Sequence, residues 1–293
     1  MARLRSSRLG FSVLTCASAL LLAACGGGSS STTTTSFSVA APPPSNGQLP
    51  LGSRVNRRSQ LAGSTILGGN TVNAVRVTGT YDHASRGLTL NDGQFFFSDL
   101  NGPDLGGVHR SGNAAVAIPN FAAFPFDFVF PFIQQYTLNN QQFDSIGIVG
   151  IATNPADIPN NAKATFTGDS FGSITTIASL ASEGFSGNAL VEADFGNGQV
   201  DVTMNNLLQS NNLPPSTFDT IRIDNMTIAG SAFSGGTLTT TQGGVAVNVT
   251  GQNTTTTTLG NFYGPAGSAP DEAGGVLVSE GNTRLLLATF IAD

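Results

Sequence analysis

The chain has 293 residues, a net charge of −6 and only 10% charged residues, with 36 glycines and no tryptophan. An acidic surface repels phosphate backbones, so this balance argues against nucleic acid as a partner. Few charges and many glycine, threonine, serine and asparagine residues are typical of an exported β protein and disfavour a cytosolic α/β enzyme.

The first 24 residues have the features of a bacterial lipoprotein signal peptide. Residues 3–8 include three arginines, and the apolar run 9–22 is too short for a comfortable membrane span. The run ends in a lipobox, Leu22-Ala23-Ala24-Cys25, in which the cysteine receives a diacylglyceryl group. An ordinary signal peptide with a chance cysteine is the alternative. We predict removal of residues 1–24 and lipid attachment at Cys25, which leaves nine basic and eighteen acidic residues, a net charge of −9.

Residues 25–60 are Gly/Ser/Thr-rich and then Pro-rich, and they bury too little apolar area to fold. We predict a tether that lifts the folded part off the bilayer. Cys16 leaves with the leader, so we expect neither a disulfide nor a thiolate metal site in the mature chain. Gly26 stands where an aspartate would favour the inner membrane, so by resemblance to sorting signals the sequence favours a lipoprotein that is lipid-anchored in the outer membrane.

Phenylalanine occupies every second position of one short stretch. These residues are Phe126, Phe128, Phe130 and Phe132. Period-two spacing places the four rings on one face of a strand, where they supply core aromatics or, as the alternative, an exposed apolar patch for a partner or a flat ligand. Pro125 and Pro131 favour an edge strand or an extended loop over a central strand.

From residue 164 onward, short segments alternate apolar and polar residues at period two. Gly196-Asn197-Gly198 and Gly243-Gly244 are predicted hairpin turns, because asparagine and glycine accept positive φ. A change of phase predicts a bulge near Asp224 or Asn225. About eight strands fit into roughly 130 residues, which predicts a small closed antiparallel barrel.

The predicted fold class is therefore all-β: an eight-stranded antiparallel β-barrel in residues 158–293, preceded by a sheet-rich domain in residues 61–157. Residues 205–213, closed by two prolines, are the best helix candidate. The segment 174–182 is expected to form a short strand or a helical turn across the barrel mouth.

The last forty residues carry the most specific pattern. A Thr-rich strand leads into Phe262-Tyr263-Gly264-Pro265, an acidic connection passes through Asp271 and Glu272, and Gly274-Gly275 begins the next strand. Because a Gly-Pro pair ends one strand and paired glycines restart the chain, the pattern predicts a hairpin with a long loop. Asp271 and Glu272 are expected to keep this loop solvated or, alternatively, to bind a cation or a basic partner.

Three segments resemble the β-barrel domain of transferrin-binding protein B and related surface lipoproteins of Gram-negative bacteria. They are Thr165-Phe166-Thr167-Gly168, the stretch Gly187 to Gly198 with Asp194-Phe195-Gly196, and Gly260 to Gly275 with the motif above. In that family a lobe pairs such a barrel with a sheet-rich handle domain, so the resemblance implies that residues 61–157 are handle-like. It also implies export to the cell surface by a dedicated outer-membrane translocator, and so a lipid-anchored protein exposed at that surface.

The resemblance further implies a non-catalytic co-receptor that binds an iron- or haem-bearing protein and passes it to a receptor, with a TonB-dependent receptor as a second partner. A structural or adhesive envelope protein that uses the barrel as a spacer is the alternative. The chain departs from the family in its longer connection from Pro265 to Glu272 and in having one lobe where the family protein has two. The residues that grip transferrin there have no matching positions here.

Catalytic and metal sites are not expected. Gly168-Asp169-Ser170-Phe171-Gly172 matches a nucleophile elbow, but both histidines, His83 and His109, precede it and its context is a hairpin. The histidines lack acidic neighbours at metal-site spacing, so surface or structural roles are expected, with haem-iron ligation as the alternative. We therefore predict no enzyme and no cofactor, and take the four phenylalanines and two histidines as candidate ligand-binding residues.

Overall fold

The computed structural model describes residues 58–68, 72–82, 87–90, 95–97, 107–111, 114–118, 126–138, 141–179, 181–209 and 215–293. The described part of the chain is all-β, as predicted. It contains two antiparallel sheets, and a short 3-10 helix, Pro155–Asp157, lies between them in the sequence.

The first sheet has eight strands. They are β1 (Arg58–Gly68), β2 (Asn73–Asp82), β3 (Gly87–Leu90), β4 (Phe95–Phe97), β5 (Gly107–Ser111), β6 (Ala114–Ile118), β7 (Val129–Leu138) and β8 (Gln141–Gly150). Their order in the sheet is β4-β3-β2-β1-β8-β7-β6-β5. The chain thus forms two meanders, β1 to β4 and β5 to β8, which meet where β1 pairs with β8. β1 begins before the predicted domain boundary at residue 61.

The second sheet forms the barrel. Its strands are β9 (Lys163–Thr176), β10 (Ser182–Asp194), β11 (Gln199–Leu208), β12 (Thr220–Ala229), β13 (Ala232–Ser234), β14 (Thr237–Gln242), β15 (Val245–Val247), β16 (Thr255–Tyr263), β17 (Glu272–Glu280) and β18 (Arg284–Ala292). β18 pairs with β9, and β11 pairs with β12, so the sheet closes on itself.

The barrel counts as eight-stranded because β13 and β14 follow one another along the same edge of β12 and together occupy one strand position. The two segments are separated only by Gly235 and Gly236, whose φ values are 80° and 89°. Both segments pair with β12, and β13 also pairs with β16. β15 folds back on β14 as an additional short strand. The closed eight-stranded antiparallel barrel predicted from the sequence is therefore confirmed.

The barrel interior is a packed core. Its largest members are Phe166, Phe185, Phe195, Met204, Phe218, Met226, Phe233, Phe262 and Phe290. The ring centroid of Phe262 lies 4.9 Å from that of Phe233 and 5.2 Å from that of Phe195. Side chains fill the interior, as is usual for barrels of eight strands, so a partner must meet the outer surface, the ends or the loops.

The predicted turns and the bulge are confirmed. Gly198, Gly243 and Gly244 have positive φ values of 66°, 57° and 78° in hairpin turns. Asn225 has a φ of 60°, and the pairing of β11 with β12 shifts register at this point. The extra residue is held because the backbone N–H of Asn225 donates to Asp201 at 2.7 Å.

The predicted helix is wrong where the structure describes it. Met204 and Leu207, three positions apart, imitate helical spacing, but both belong to β11 and both are buried in the barrel. A second irregularity, in which Asn206 adopts a φ of 51°, turns both side chains inward. Residues 210–213 lie outside the described part of the chain. The segment 174–182 ends β9, turns and begins β10.

The phenylalanine run fits the predicted edge position or extended segment, because β7 has β8 on one side and pairs with β6 on the other side from residue 133 onward. Pro131 pairs with Ile148 of β8, whereas β6 pairs only with residues 133–136 of β7. The proline is tolerated since it lies beyond the end of the β6 ladder, where a missing N–H costs no inter-strand hydrogen bond.

Candidate functional site

The barrel has two kinds of wall. The covered wall is formed by β16, β17 and β18, and the first sheet packs on its outer face; the open wall is formed by β9 to β12. In β17 every residue from 272 to 279 is buried. A Cβ at Gly274 would lie 3.2 Å from Ile148 of the first sheet, and one at Gly275 would lie 2.7 Å from the Phe290 ring inside the barrel. The paired glycines therefore let both layers approach the same strand.

An apolar cluster holds the first sheet against the covered wall. Val276, Val278 and Leu287 are its buried centre, and Val72, Ala74, Ile146, Leu259 and Leu285 pack around them. Because these residues come from both sheets, the two parts of the molecule share a hydrophobic seam. Burial of apolar surface has no preferred direction, so the orientation of the two sheets also depends on a few specific polar contacts across the seam.

Arg76 of β2 reaches from the first sheet into the barrel wall. Its guanidinium donates to the carbonyl of Gly260 at 2.7 Å, to Oδ1 of Asn261 at 2.5 Å and to the carbonyl of Phe233 at 3.0 Å. All three acceptors are neutral oxygens, and burial lowers the pKa of Arg76. The guanidinium stays charged because its ordinary pKa is so high. Ser64 of β1 pairs with Arg76, and its hydroxyl donates to the carbonyl of Leu259 at 3.1 Å.

Glu272 of β17 makes a contact in the opposite direction, from the barrel to the segment that precedes β7. Its side chain is 3% exposed, and its two carboxylate oxygens accept the backbone N–H groups of Asp127 at 2.5 Å and Phe128 at 3.0 Å. Burial raises the pKa of Glu272 to about 8, while the backbone N–H groups of Asp127, Phe128 and Val129 oppose that shift. The expectation that Glu272 keeps a loop solvated is therefore wrong, whereas Asp271 is exposed.

The remaining motif residues divide between the seam and the core. Tyr263 is fully buried beside Gly150, burial raises its pKa, and its hydroxyl makes no hydrogen bond within the described residues. Phe262 and Phe195 pack in the barrel, and Asp194 accepts the backbone N–H of Asn197 at 3.1 Å in the turn that includes Gly196. Gly264 N–H donates to the carbonyl of Ile151 at 3.1 Å. These contacts give the motif a structural role.

The other predicted site residues have separate outcomes. The rings of Phe126, Phe128, Phe130 and Phe132 are between 1% and 4% exposed, so they belong to the core and do not form the exposed patch of the alternative. Cys25 and His83 lie outside the described residues. His109 lies in β5, but its side chain is not described. Roles for these three residues stay predictions.

The elbow-like sequence lies within β9 and not at a strand-to-helix turn. Ser170 is 1% exposed and donates to the carbonyl of Asn188 at 3.1 Å. A buried serine held by a main-chain carbonyl is not positioned as a nucleophile. In the described part of the chain, no group of three or more His, Cys, Asp or Glu side chains is placed to hold a metal ion. No helix there has the length and apolar character needed to cross a membrane.

Apolar side chains are exposed at one end of the barrel. Among the described residues the large exposed hydrophobic side chains are Ile177 at 40%, Leu208 at 39% and Val245 at 68%. The strand directions place all three at the end opposite to the one where the chain enters from the first sheet. We call the described residues of 176–182, 208–220 and 242–245 the rim. Single exposed apolar residues are ordinary, but their gathering at one end is informative.

Hydrogen bonds tie the three stretches of the rim together. Glu183, next to the first stretch, accepts from the side chains of Gln209 at 2.9 Å and Ser216 at 3.2 Å. The side chain of Gln242 donates to the carbonyl of Ser216 at 3.2 Å. Asp219 accepts the backbone N–H of Gly243 at 2.6 Å, and this contact lowers the pKa of Asp219. The rim is therefore pre-organised and carries negative charge.

Sequence reasoning missed both Arg76 and the rim. Arg76 shares a strand face with Val72 and Ala74, and a charge on an otherwise apolar face was the available signal. The rim had none, because its residues are distant in sequence and each is unremarkable by itself.

The geometry defines a class of protein: a filled β-barrel with one wall covered by a second sheet. No protein-family model matches the sequence, and no curated protein matches it. Solved structures of transferrin-binding protein B (TbpB) share the fold. Intact Ap-TbpB, with N and C lobes, aligns at a TM-score of 0.52 and 15% identity over 80% of this chain and 45% of that chain.

Two further structures agree. A mutant of TbpB from Haemophilus parasuis gives a TM-score of 0.50 at 16% identity, covering 80% of this chain and 44% of that chain. Isotype 1 TbpB from serogroup B Neisseria meningitidis gives 0.50 at 18% identity, covering 80% and 43%. The chain therefore has a TbpB-like fold and spans less than half the length of these proteins.

Proposed function

We propose that this chain is an outer-membrane, surface-exposed lipoprotein. It binds an iron- or haem-bearing protein without catalysing a reaction and acts as a co-receptor for that protein. The single observation that carries the proposal is the rim, where Ile177, Leu208 and Val245 are exposed on a hydrogen-bonded scaffold. The filled barrel interior fits this role, since it directs binding to the surface of the barrel.

The chemistry of the rim describes the partner. Docking would remove three apolar side chains from water, and each is large enough to contribute to a desolvated interface centre. Glu183 and Asp219 would surround that centre with negative charge and favour a partner with basic groups near its apolar contact. The TbpB-like fold supports a protein ligand over a small molecule.

Attachment to the membrane completes the proposal. Lipid at Cys25 and the tether of residues 25–60 would hold the barrel above the outer membrane, with a TonB-dependent receptor as the acceptor of the captured cargo. Each buried acyl CH₂ contributes roughly 0.8 kcal/mol, so several chains would anchor the protein firmly.

The test is capture of holo-transferrin, haemoglobin or haem by the immobilised full-length chain. A rim variant carries Ile177→Ser, Leu208→Ser and Val245→Ser; a control variant carries Thr165→Ala, Thr203→Ala and Thr227→Ala on the open wall. We expect the unaltered chain and the control to bind one ligand equally and the rim variant to bind at least about tenfold more weakly. Equal binding by the rim variant, or no capture of any ligand by the unaltered chain, would contradict the proposal.

Growth separates this function from the alternative of a structural or adhesive spacer, which the filled and rigid barrel also suits. Deletion of the gene should abolish growth on one protein-bound iron source if the chain is a co-receptor. A spacer should instead alter attachment or envelope integrity and leave iron use intact.

A further inference from the structure

The carboxyl group of Glu272 joins the two sheets through both of its oxygens. Each oxygen accepts an N–H group from the segment that precedes β7, while the residue itself belongs to the barrel. Separating the first sheet from the barrel would break both contacts together. It would also admit water to a side chain that is 3% exposed in the closed seam.

Among the described residues, the charges around Glu272 do not compensate an ionised carboxylate. Asp127, which supplies one N–H donor, carries a like charge nearby. Tyr263 of β16, paired directly with Glu272, is a neutral phenol. Arg76, a cation of the seam, directs its donors at Gly260, Asn261 and Phe233. Backbone N–H groups of Asp127, Phe128 and Val129 favour the ionised form, and burial outweighs them.

We propose that Glu272 makes the attachment of the first sheet to the barrel depend on pH, with the seam closed while the carboxyl group is protonated and loosened when it ionises. An ionised carboxylate without a cation partner is costly to bury, and water can hydrate it only if the seam opens. Ionisation therefore favours the open seam.

The linkage between proton binding and seam opening gives the direction of the pH dependence and the pH range over which it occurs. Burial raises the pKa of Glu272 from 4.5 to about 8, so between these values the closed seam binds a proton that the open seam releases. The closed state is therefore fully favoured below pH 4.5 and loses its advantage as pH rises to about 8. Within that window the opening equilibrium constant should rise by up to about tenfold per pH unit.

Hydrogen exchange on the full-length chain tests this proposal. Protection factors of seam amides in β1, β17 and residues 127–128 are measured between pH 5 and 8.5, after correction for the intrinsic exchange rate. We expect protection in the unaltered chain to fall with pH and protection in Glu272→Gln, which is neutral at every pH, to stay nearly flat. Glu280→Gln, at the exposed end of the same strand, should behave like the unaltered chain.

A second measurement keeps the proposal testable if Glu272→Gln fails to fold. Carbon-13 NMR of the side-chain carboxyl groups in the unaltered chain reports the titration of Glu272 directly. Titration between about pH 7 and 9, together with falling seam protection, supports the proposal. Titration near 4.5, or the same loss of protection in Glu272→Gln, would overturn it.

Discussion

The covered and open walls of the barrel belong to one closed sheet but follow different residue patterns. In the open wall, β11 buries Val200, Val202 and Met204 and leaves the positions between them partly exposed. In the covered wall, β17 is buried at eight successive positions, from Glu272 to Ser279. Alternation therefore reports how many faces of a strand meet water, and its absence in β17 marks the contact with a second layer.

Arginine has a different role in each wall. Arg222 of the open wall lies among carboxylates, 2.5 Å from Asp224 and 3.9 Å from Asp201, and its side chain is 52% exposed. Arg76 at the covered wall donates only to neutral oxygens inside the seam. Water screens the first arrangement and not the second, so stability should depend on the seam contacts far more than on the surface ion pairs.

The largest expected effect comes from removing the aromatic ring that joins the two walls. Phe262 of the covered wall contacts Phe233, Phe195 and Phe166. Phe262→Ala should lower the free energy of unfolding by about 3–5 kcal/mol, because the ring leaves a cavity that its neighbours cannot fill. Urea unfolding measures the loss. A change below about 1 kcal/mol would mean that the core relaxes around the gap.

Breaking the seam through Arg76 should have the next largest effect. Arg76→Met keeps much of the apolar stem but leaves the acceptors on Gly260, Asn261 and Phe233 without this donor. We expect a loss of about 2–4 kcal/mol in urea unfolding and faster proteolysis between the sheets. An unfolding curve unchanged from that of the unaltered chain would show that the apolar cluster alone holds the seam.

The bulge of the open wall should contribute less. Asn225 has a φ of 60°, which a residue with Cβ adopts at a cost unless its side chain is suited to it. Asn225→Ala should destabilise by about 1 kcal/mol, whereas Asn225→Gly should be close to neutral. Thermal unfolding of the two variants compares them. Equal losses would point to the asparagine side chain and away from the backbone conformation.

The smallest effect is expected at the ion pairs of the open wall. Arg222→Gln should change the free energy of unfolding by less than about 1 kcal/mol, and the difference should shrink in high salt. Measuring it beside Arg76→Met tests the comparison of the walls directly. A loss as large as that of Arg76→Met would show that the screened cation stabilises the fold as much as the buried one.

Local pattern was enough for much of the fold. Period-two alternation, the glycine turns at Gly198 and Gly243, and the phase change at Asn225 specified the strands, their hairpins and the closed barrel. It failed where spacing was ambiguous, since Met204 and Leu207 imitate a helix when a bulge is not foreseen. The local pattern also placed Glu272 in the loop that follows Pro265, because a carboxylate in a polar loop is usually solvated.

The sequence by itself determined the strands and which residues face the barrel core, because those depend on neighbours two positions away. Only the tertiary structure decided which layer covers β17, which charges are buried and where the rim lies. Arg76 and its acceptor Gly260 are 184 positions apart, and Asp127 and Glu272 are separated by 145. Contacts of that range arise when two sheets pack, and a strand's own pattern contains no information about which layer will cover it.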